Sequence, residues 1–102
     1  MEIVFDDTTY NFDLEAITRT EAAYIYRQCG LTIGELLEGL AKIHPTAIDA
    51  LYWLMLKQNG TTRDIHKLPD YPALKFGMAL GEAMEAEEAT KEEGPTEAGP
   101  AA

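Results

Sequence analysis

Residues 46–57 read TAIDALYWLMLK, and this stretch decides the fold. Apolar side chains would occupy nearly the whole circumference of a helix formed here, and Asn59-Gly60 follows as a stop signal. A helix that is apolar on all sides is normally the buried centre of a domain. It is also well short of the roughly 18 to 20 apolar residues of a membrane span. We therefore predict a central helix that begins near Thr46, with Trp53 in the core and Tyr52 closer to the surface.

Two shorter helices are predicted directly before the central one. Thr18 and Glu21, and then Thr32 and Glu35, have the spacing of a capping box, in which a hydroxyl and a carboxylate bind unpaired amides at a helix start. Gly30 is well placed to end the first helix in a left-handed turn. The stripes expected to face the core are Ala22, Ile25, Tyr26 and Cys29 in the first helix, and Ile33, Leu36, Leu37, Leu40 and Ile43 in the second.

The remaining segments complete a mainly α domain over residues 1–87. Ile3–Phe5 and Tyr10–Phe12 are β-prone runs separated by the turn-forming residues 6–9, DDTT, so the opening predicts a small β-hairpin. Residues 61–68 predict a short helical turn. A last amphipathic helix carries Ala73, Phe76, Gly77, Leu80 and Met84 on one side. The predicted fold is three to four helices with a short N-terminal hairpin.

The charge of the chain excludes several classes of partner. Its 102 residues include 18 Asp and Glu against 8 Lys and Arg, a net charge of −10. Binding to nucleic acid phosphates or to an anionic membrane surface needs the opposite charge. From Glu85 onward there is no Leu, Ile, Val or aromatic residue, so we predict a disordered acidic tail over residues 88–102. The opening residues have no signal-type apolar stretch, which indicates an intracellular protein.

No constellation of residues predicts catalysis. Cys29 is the only thiol, and it is expected to pack against the core at a helix C-terminus, where the helix dipole raises a thiol pKa. His44 and His66 have no metal-ligand spacing with Cys29 or with each other, and the chain contains no serine. We therefore predict a protein that is not an enzyme, with no catalytic residues, no metal site and no cofactor.

Residues 50–60, ALYWLMLKQNG, resemble the apolar helix of tail assembly chaperones from siphophages of actinobacteria. That helix combines an alanine, a tryptophan, aliphatic residues, a basic pair and a closing glycine. Upstream, residues 12–14, the Thr18–Glu21 helix start and residues 30–32 follow the family's order of a strand-like opening, a Glu-led helix and a Gly turn. The likeness covers residues 2–60, and the acidic end also fits. Gln58 departs from the pattern, which has a second basic residue there.

The resemblance implies a non-enzymatic protein that binds the tape measure protein and keeps it soluble during phage tail assembly. It also implies a longer frameshift product that contacts the tail tube protein. Such chaperones act in the cytoplasm of the infected bacterial host and are absent from the mature virion. The alternative is a small structural or tail-completion protein retained in the virion. A host-factor inhibitor that mimics nucleic acid ranks last, because more than half of the net charge lies in or beside the tail.

A domain this small leaves much of its surface outside the core, so part of the apolar surface should remain exposed. We therefore expect self-association, or the capture of an amphipathic helix in a groove beside the central helix. The candidate partner contacts are Tyr52, Leu56, Lys57, Phe76 and Leu80.

Overall fold

The computed structural model describes the backbone of residues 1–98 and the side chains of residues 1–88. Within that part, a hairpin of two strands is followed by four helices, as predicted. The elements are β1 (Glu2–Phe5), β2 (Thr8–Asn11), α1 (Arg19–Cys29), α2 (Ile33–Ala41), α3 (Pro45–Gln58) and α4 (Ala73–Ala98). Short 3₁₀ turns cover Leu14–Ala16 and Ile65–Lys67. We predicted an acidic tail over residues 88–102. Of that segment the structure describes Glu88 and the helical backbone to Ala98, and the rest lies outside the described residues.

Helix α3 is the centre of the domain. Nine of its fourteen residues are buried, and the other three helices and β2 all contact it. Pro45 occupies the first helical position, where a missing amide hydrogen breaks no helical bond, and the His44 ring accepts a hydrogen bond from Ala47. Trp53 is buried, which confirms that prediction. Tyr52 is also buried rather than near the surface, because the ring of Tyr71 stacks on it at 4.0 Å.

Helix α1 begins and ends as predicted but is rotated about its axis. Both halves of its capping box are formed, and Gly30 ends the helix with a φ of +73°. The side chain of Tyr26, expected in the core, is 58% exposed. Tyr24 takes its place, because its ring stacks on Trp53 at 4.8 Å. The face that α1 turns inward is therefore set by the partner of Trp53 and not by the apolar residues of α1 alone.

Helix α2 packs against α3 and α4 with only part of its predicted stripe. Its capping box, Thr32 with Glu35, is formed. Leu36 and Leu40 are buried, whereas Leu37 and Ile43 are exposed. The rest of the domain therefore covers only part of the apolar stripe that the sequence predicted for α2.

The hairpin turns more tightly than the sequence predicted. Asp6 and Asp7 alone form the turn, with φ values of +54° and +59°, the backbone signature of a two-residue type I′ turn. Strand β2 consequently begins at Thr8, inside the predicted turn. In β1, Ile3 and Phe5 point into the core and Val4 points to solvent.

Helix α4 crosses the domain against β1, α2 and α3. Phe76, Gly77 and Leu80 are buried, so the predicted inner side of the helix is confirmed. In the part of the chain that the structure describes, no helix combines the length and the apolar character needed to span a bilayer.

Candidate partner-binding surface

Four of the five predicted partner contacts lie in the core. Two of them, Tyr52 and Leu56, lie on the enclosed central helix α3. The other two, Phe76 and Leu80, lie on the side of α4 that faces the core. Each of the four is at most 8% exposed. A partner would not reach them in this conformation. The fifth residue, Lys57, is partly exposed at the end of α3.

Lys57 is held by contacts within the domain. Its Nζ atom donates a hydrogen bond to Glu21 at 2.8 Å and lies 5.7 Å from the centre of the Trp53 ring. Burial by itself would raise the pKa of Glu21. Hydrogen bonds from Lys57 and Thr18, with the charge of Lys57, outweigh it and lower the pKa below its usual value. This ion pair joins α1 to α3 and stands where the sequence suggested a partner contact.

A polar cleft of about 510 Å³ lies beside Asp49, His66 and Tyr71. The Tyr71 hydroxyl donates a hydrogen bond to Asp49 at 2.5 Å, and burial together with Asp49 raises the pKa of Tyr71 far above its ordinary value. Burial and the charge of Asp49 also raise the pKa of Cys29. Both groups are thus kept protonated at neutral pH, which is the opposite of what a nucleophile needs.

Among residues 1–88, no group of three or more His, Cys, Asp and Glu side chains is arranged to hold a metal ion. His66 instead shares a 2.8 Å hydrogen bond with Gln28. His44 serves as the cap of α3.

We infer an exposed apolar surface where α2 meets α4, because four of the exposed large apolar side chains lie in or directly beside these two helices. We call it the α2–α4 face and define it by four exposed side chains, Leu37, Ile43, Leu74 and Met78. Gly77 of α4 lies against the side chain of Ile48 in α3 and, slightly further away, against those of Ile43 and Leu40.

Helical geometry places the other members of the face on its two sides. On α4, Leu74 and Met78 are three residues before and one residue after Gly77, on its solvent side. On α2, Leu37 precedes Leu40 by one turn and faces away from Gly39, which packs on α3. This geometry predicts an open apolar face, with Leu74 and Met78 of α4 on one side and Leu37 of α2 and Ile43, just beyond its end, on the other.

Leu74 and Met78 were not among the predicted contacts, although their four-residue spacing is visible in the sequence. Helix α4 thus has two apolar sides, one with Leu74 and Met78 and one with Phe76 and Leu80. Only the packing of α4 on the domain shows that the second side is buried and the first is exposed. No protein-family model, curated protein or solved structure matches this chain.

Proposed function

We propose that this chain is a non-enzymatic tail assembly chaperone that binds the tape measure protein and keeps it soluble during phage tail assembly. The observation that supports this most directly is the α2–α4 face on a small, strongly acidic domain. The resemblance of residues 50–60 to the apolar helix of such chaperones points the same way.

The shape and chemistry of the α2–α4 face suit an amphipathic helix. Such a helix presents apolar side chains at every third or fourth position and binds apolar grooves through them. Leu74 and Met78 on one wall and Leu37 and Ile43 on the other would contact that stripe from both sides. Glu82 and Glu85, exposed one and two turns beyond Met78, would favour basic residues at the edge of the stripe.

The remaining parts of the proposal follow from this role. The chain would act in the cytoplasm of the infected bacterial host and be absent from the mature virion. A longer frameshift product that shares this domain would contact the tail tube protein. Self-association through the same apolar face would compete with the tape measure protein, since contiguous exposed apolar surface is a binding surface for either partner.

Co-expression with the tape measure protein of the same phage tests the proposal. The wild-type chain should keep the tape measure protein in the supernatant and co-purify with it. Leu74→Glu should abolish both effects, because it places a charge in the middle of the apolar contact. Tyr26→Glu is the matched control: Tyr26 is also on a helix and is also 58% exposed, but lies outside the face.

Circular dichroism would first establish that both variants remain folded. Retention of the tape measure protein by folded Leu74→Glu would contradict the proposed contact surface. Finding this chain in purified virions by mass spectrometry would favour the alternative, a structural or tail-completion protein.

A further inference from the structure

The outer edge of β2 is closed by two side-chain amides from α3. Asn59 accepts a hydrogen bond from the Asn11 amide at 3.2 Å and donates one to the Asn11 carbonyl at 2.8 Å. Gln58 makes the same pair of bonds with Asp13, at 2.8 and 2.9 Å. These two amides bind the backbone as a neighbouring strand would, so this edge is largely satisfied.

The outer edge of β1 is open. In an antiparallel pair, residues that exchange backbone hydrogen bonds alternate with residues whose amides and carbonyls point away. Met1 and Phe12 exchange two backbone hydrogen bonds, each at 2.9 Å. Because the pattern alternates along the strand, Ile3 also directs its amide and carbonyl toward β2. Glu2 and Val4 therefore direct their backbone groups outward. Within the described part of the chain, no hydrogen bond from outside the hairpin reaches the backbone of Val4.

Two separate cavities of about 340 Å³ each lie between β1 and α4 along this open edge, one beside Val4 and Phe5 and the other beside Met1 and Glu2. We call the two cavities together the groove. On the α4 side, Ala79, Ala83 and Ala86 line the groove over two helical turns. The charged residues of α4 that also line it are Lys75, Glu82 and Glu87, so acids outnumber bases there. The two cavities lie toward the two ends of β1, and the Met1 ammonium pairs with Glu87 at 3.1 Å beside the second. Each cavity offers space for a side chain beneath an added strand.

The charges around the edge define what it would accept. Glu2 and Asp6 are exposed at the two ends of β1, on either side of Val4, which is 68% exposed. A strand laid beside β1 would place alternate side chains opposite these acids and the others over the groove. Basic residues suit the positions opposite the acids, and apolar residues suit the positions over the groove.

We propose that the outer edge of β1 binds an extended peptide segment of alternating basic and apolar residues as an antiparallel third strand. Backbone bonds to Val4 would supply affinity, and the groove and the two acids would supply selectivity. A second copy of this chain fits poorly. Antiparallel pairing of two β1 strands about Val4 would bring Glu2 of one copy opposite Asp6 of the other, and like charges across strands are destabilising.

This site is distinct from the α2–α4 face, although Met78 borders both. The tape measure proposal and the strand-binding proposal can therefore fail separately. Leu74→Glu, which disrupts the α2–α4 face, should leave strand binding unchanged.

A blocked, fluorescein-labelled peptide with the core Lys-Val-Thr-Val-Lys is the probe, and fluorescence anisotropy measures its affinity. Methylation of the amide nitrogen of its central Thr, which faces Val4, should weaken binding at least tenfold. Methylation of the following Val, whose amide points away, should not. Replacing both Lys residues by Glu should also weaken binding at least tenfold. Equal binding of all four peptides would overturn the proposal.

A pair of protein variants tests the same edge from the other side. Val4→Pro removes the outward amide donor of β1, and Thr9→Pro removes the corresponding donor of β2 directly opposite. Folded Val4→Pro should lose peptide binding, whereas folded Thr9→Pro should retain it. If Val4→Pro does not fold, the affinities of the four peptides for the wild-type chain still test the proposal. Binding that survives in folded Val4→Pro, or a dimer of the wild-type chain that Val4→Pro dissociates, would contradict a peptide as the occupant.

Discussion

The side-chain amide of Asn59 stands in for a neighbouring strand at the backbone of Asn11. It accepts from the amide of Asn11 at 3.2 Å and donates to its carbonyl at 2.8 Å, across 48 residues of sequence. A two-stranded hairpin is marginally stable at best in water. The end of the central helix therefore fixes the position of the hairpin as well as satisfying its edge.

We expect Asn59→Ala to lower the free energy of unfolding by about 1 kcal/mol, because it removes hydrogen bonds to the backbone of Asn11 and Met55, which water only partly replaces. Denaturation by urea, followed by circular dichroism, measures the change. Asn11→Ala is the control and should change stability by less than about 0.5 kcal/mol, because the pair uses only the backbone of that residue. Equal losses in the two variants would show that the amide pair contributes nothing specific.

Trp53→Ala should destabilise the domain by roughly 3 to 5 kcal/mol, the usual cost of truncating a buried aromatic residue. Trp53 is 5% exposed, stacks on Tyr24, and donates from Nε1 to the carbonyl of Arg63 at 2.7 Å. Trp53→Phe keeps an apolar ring but loses the donor, so its cost should be smaller. A Trp53→Ala variant as stable as the wild type would contradict the central position of this residue.

The Glu21–Lys57 pair should stabilise the fold in a pH-dependent way. The pKa of Glu21 is lower in the folded chain than its usual value. Its contribution is therefore present above the unfolded-state pKa of about 4.3 and is lost as the pH falls through the lower folded-state pKa. Glu21→Gln should lose less stability than the wild type over that acidic range.

Lys57→Met separates the two effects on Glu21. Burial, which raises the pKa of Glu21, would remain while the main interactions that lower it disappear. The pKa of Glu21 measured by NMR should therefore rise relative to the wild type. An unchanged pKa in Lys57→Met would show that the ion pair does not act on Glu21 in solution.

The features of the fold that the sequence predicts are those set by local signals. The capping boxes at Thr18 and Thr32 depend on residues three positions apart, and α3 is apolar on nearly every side. The rotation of α1 was not predictable in this way. It depends on Tyr24 stacking against Trp53, a residue 29 positions later in the chain. The turn length was missed because two consecutive Asp residues adopt a left-handed backbone conformation.

The candidate surfaces were less predictable than the fold. The sequence shows which residues are apolar, but Phe76 and Leu74 differ in exposure only because of how α4 lies on the domain. The open edge of β1 depends on the pairing register and on Asn59 closing the opposite edge. Neither relation can be read from short stretches of sequence.

Gly39 provides a sharp test of the packing between α2 and α3. A Cβ atom added at Gly39 would lie 2.4 Å from the Cβ of Ala47 and 3.2 Å from that of His44. These are the first atoms of their side chains, so neither can move without shifting a helix. We expect Gly39→Ala to destabilise the domain by about 1 to 3 kcal/mol, since overpacking outweighs the gain of about 1 kcal/mol in helix propensity.

Gly34→Ala is the matched control, with the same substitution in the same helix. A Cβ atom there would meet nothing closer than the Thr32 hydroxyl oxygen at 3.9 Å. The gain in helix propensity should therefore remain uncompensated and raise stability by up to about 1 kcal/mol. Thermal and urea denaturation of the two variants should thus show changes of opposite sign. Two stabilised variants would mean that α2 and α3 are further apart than the contact between Gly39 and Ala47 requires.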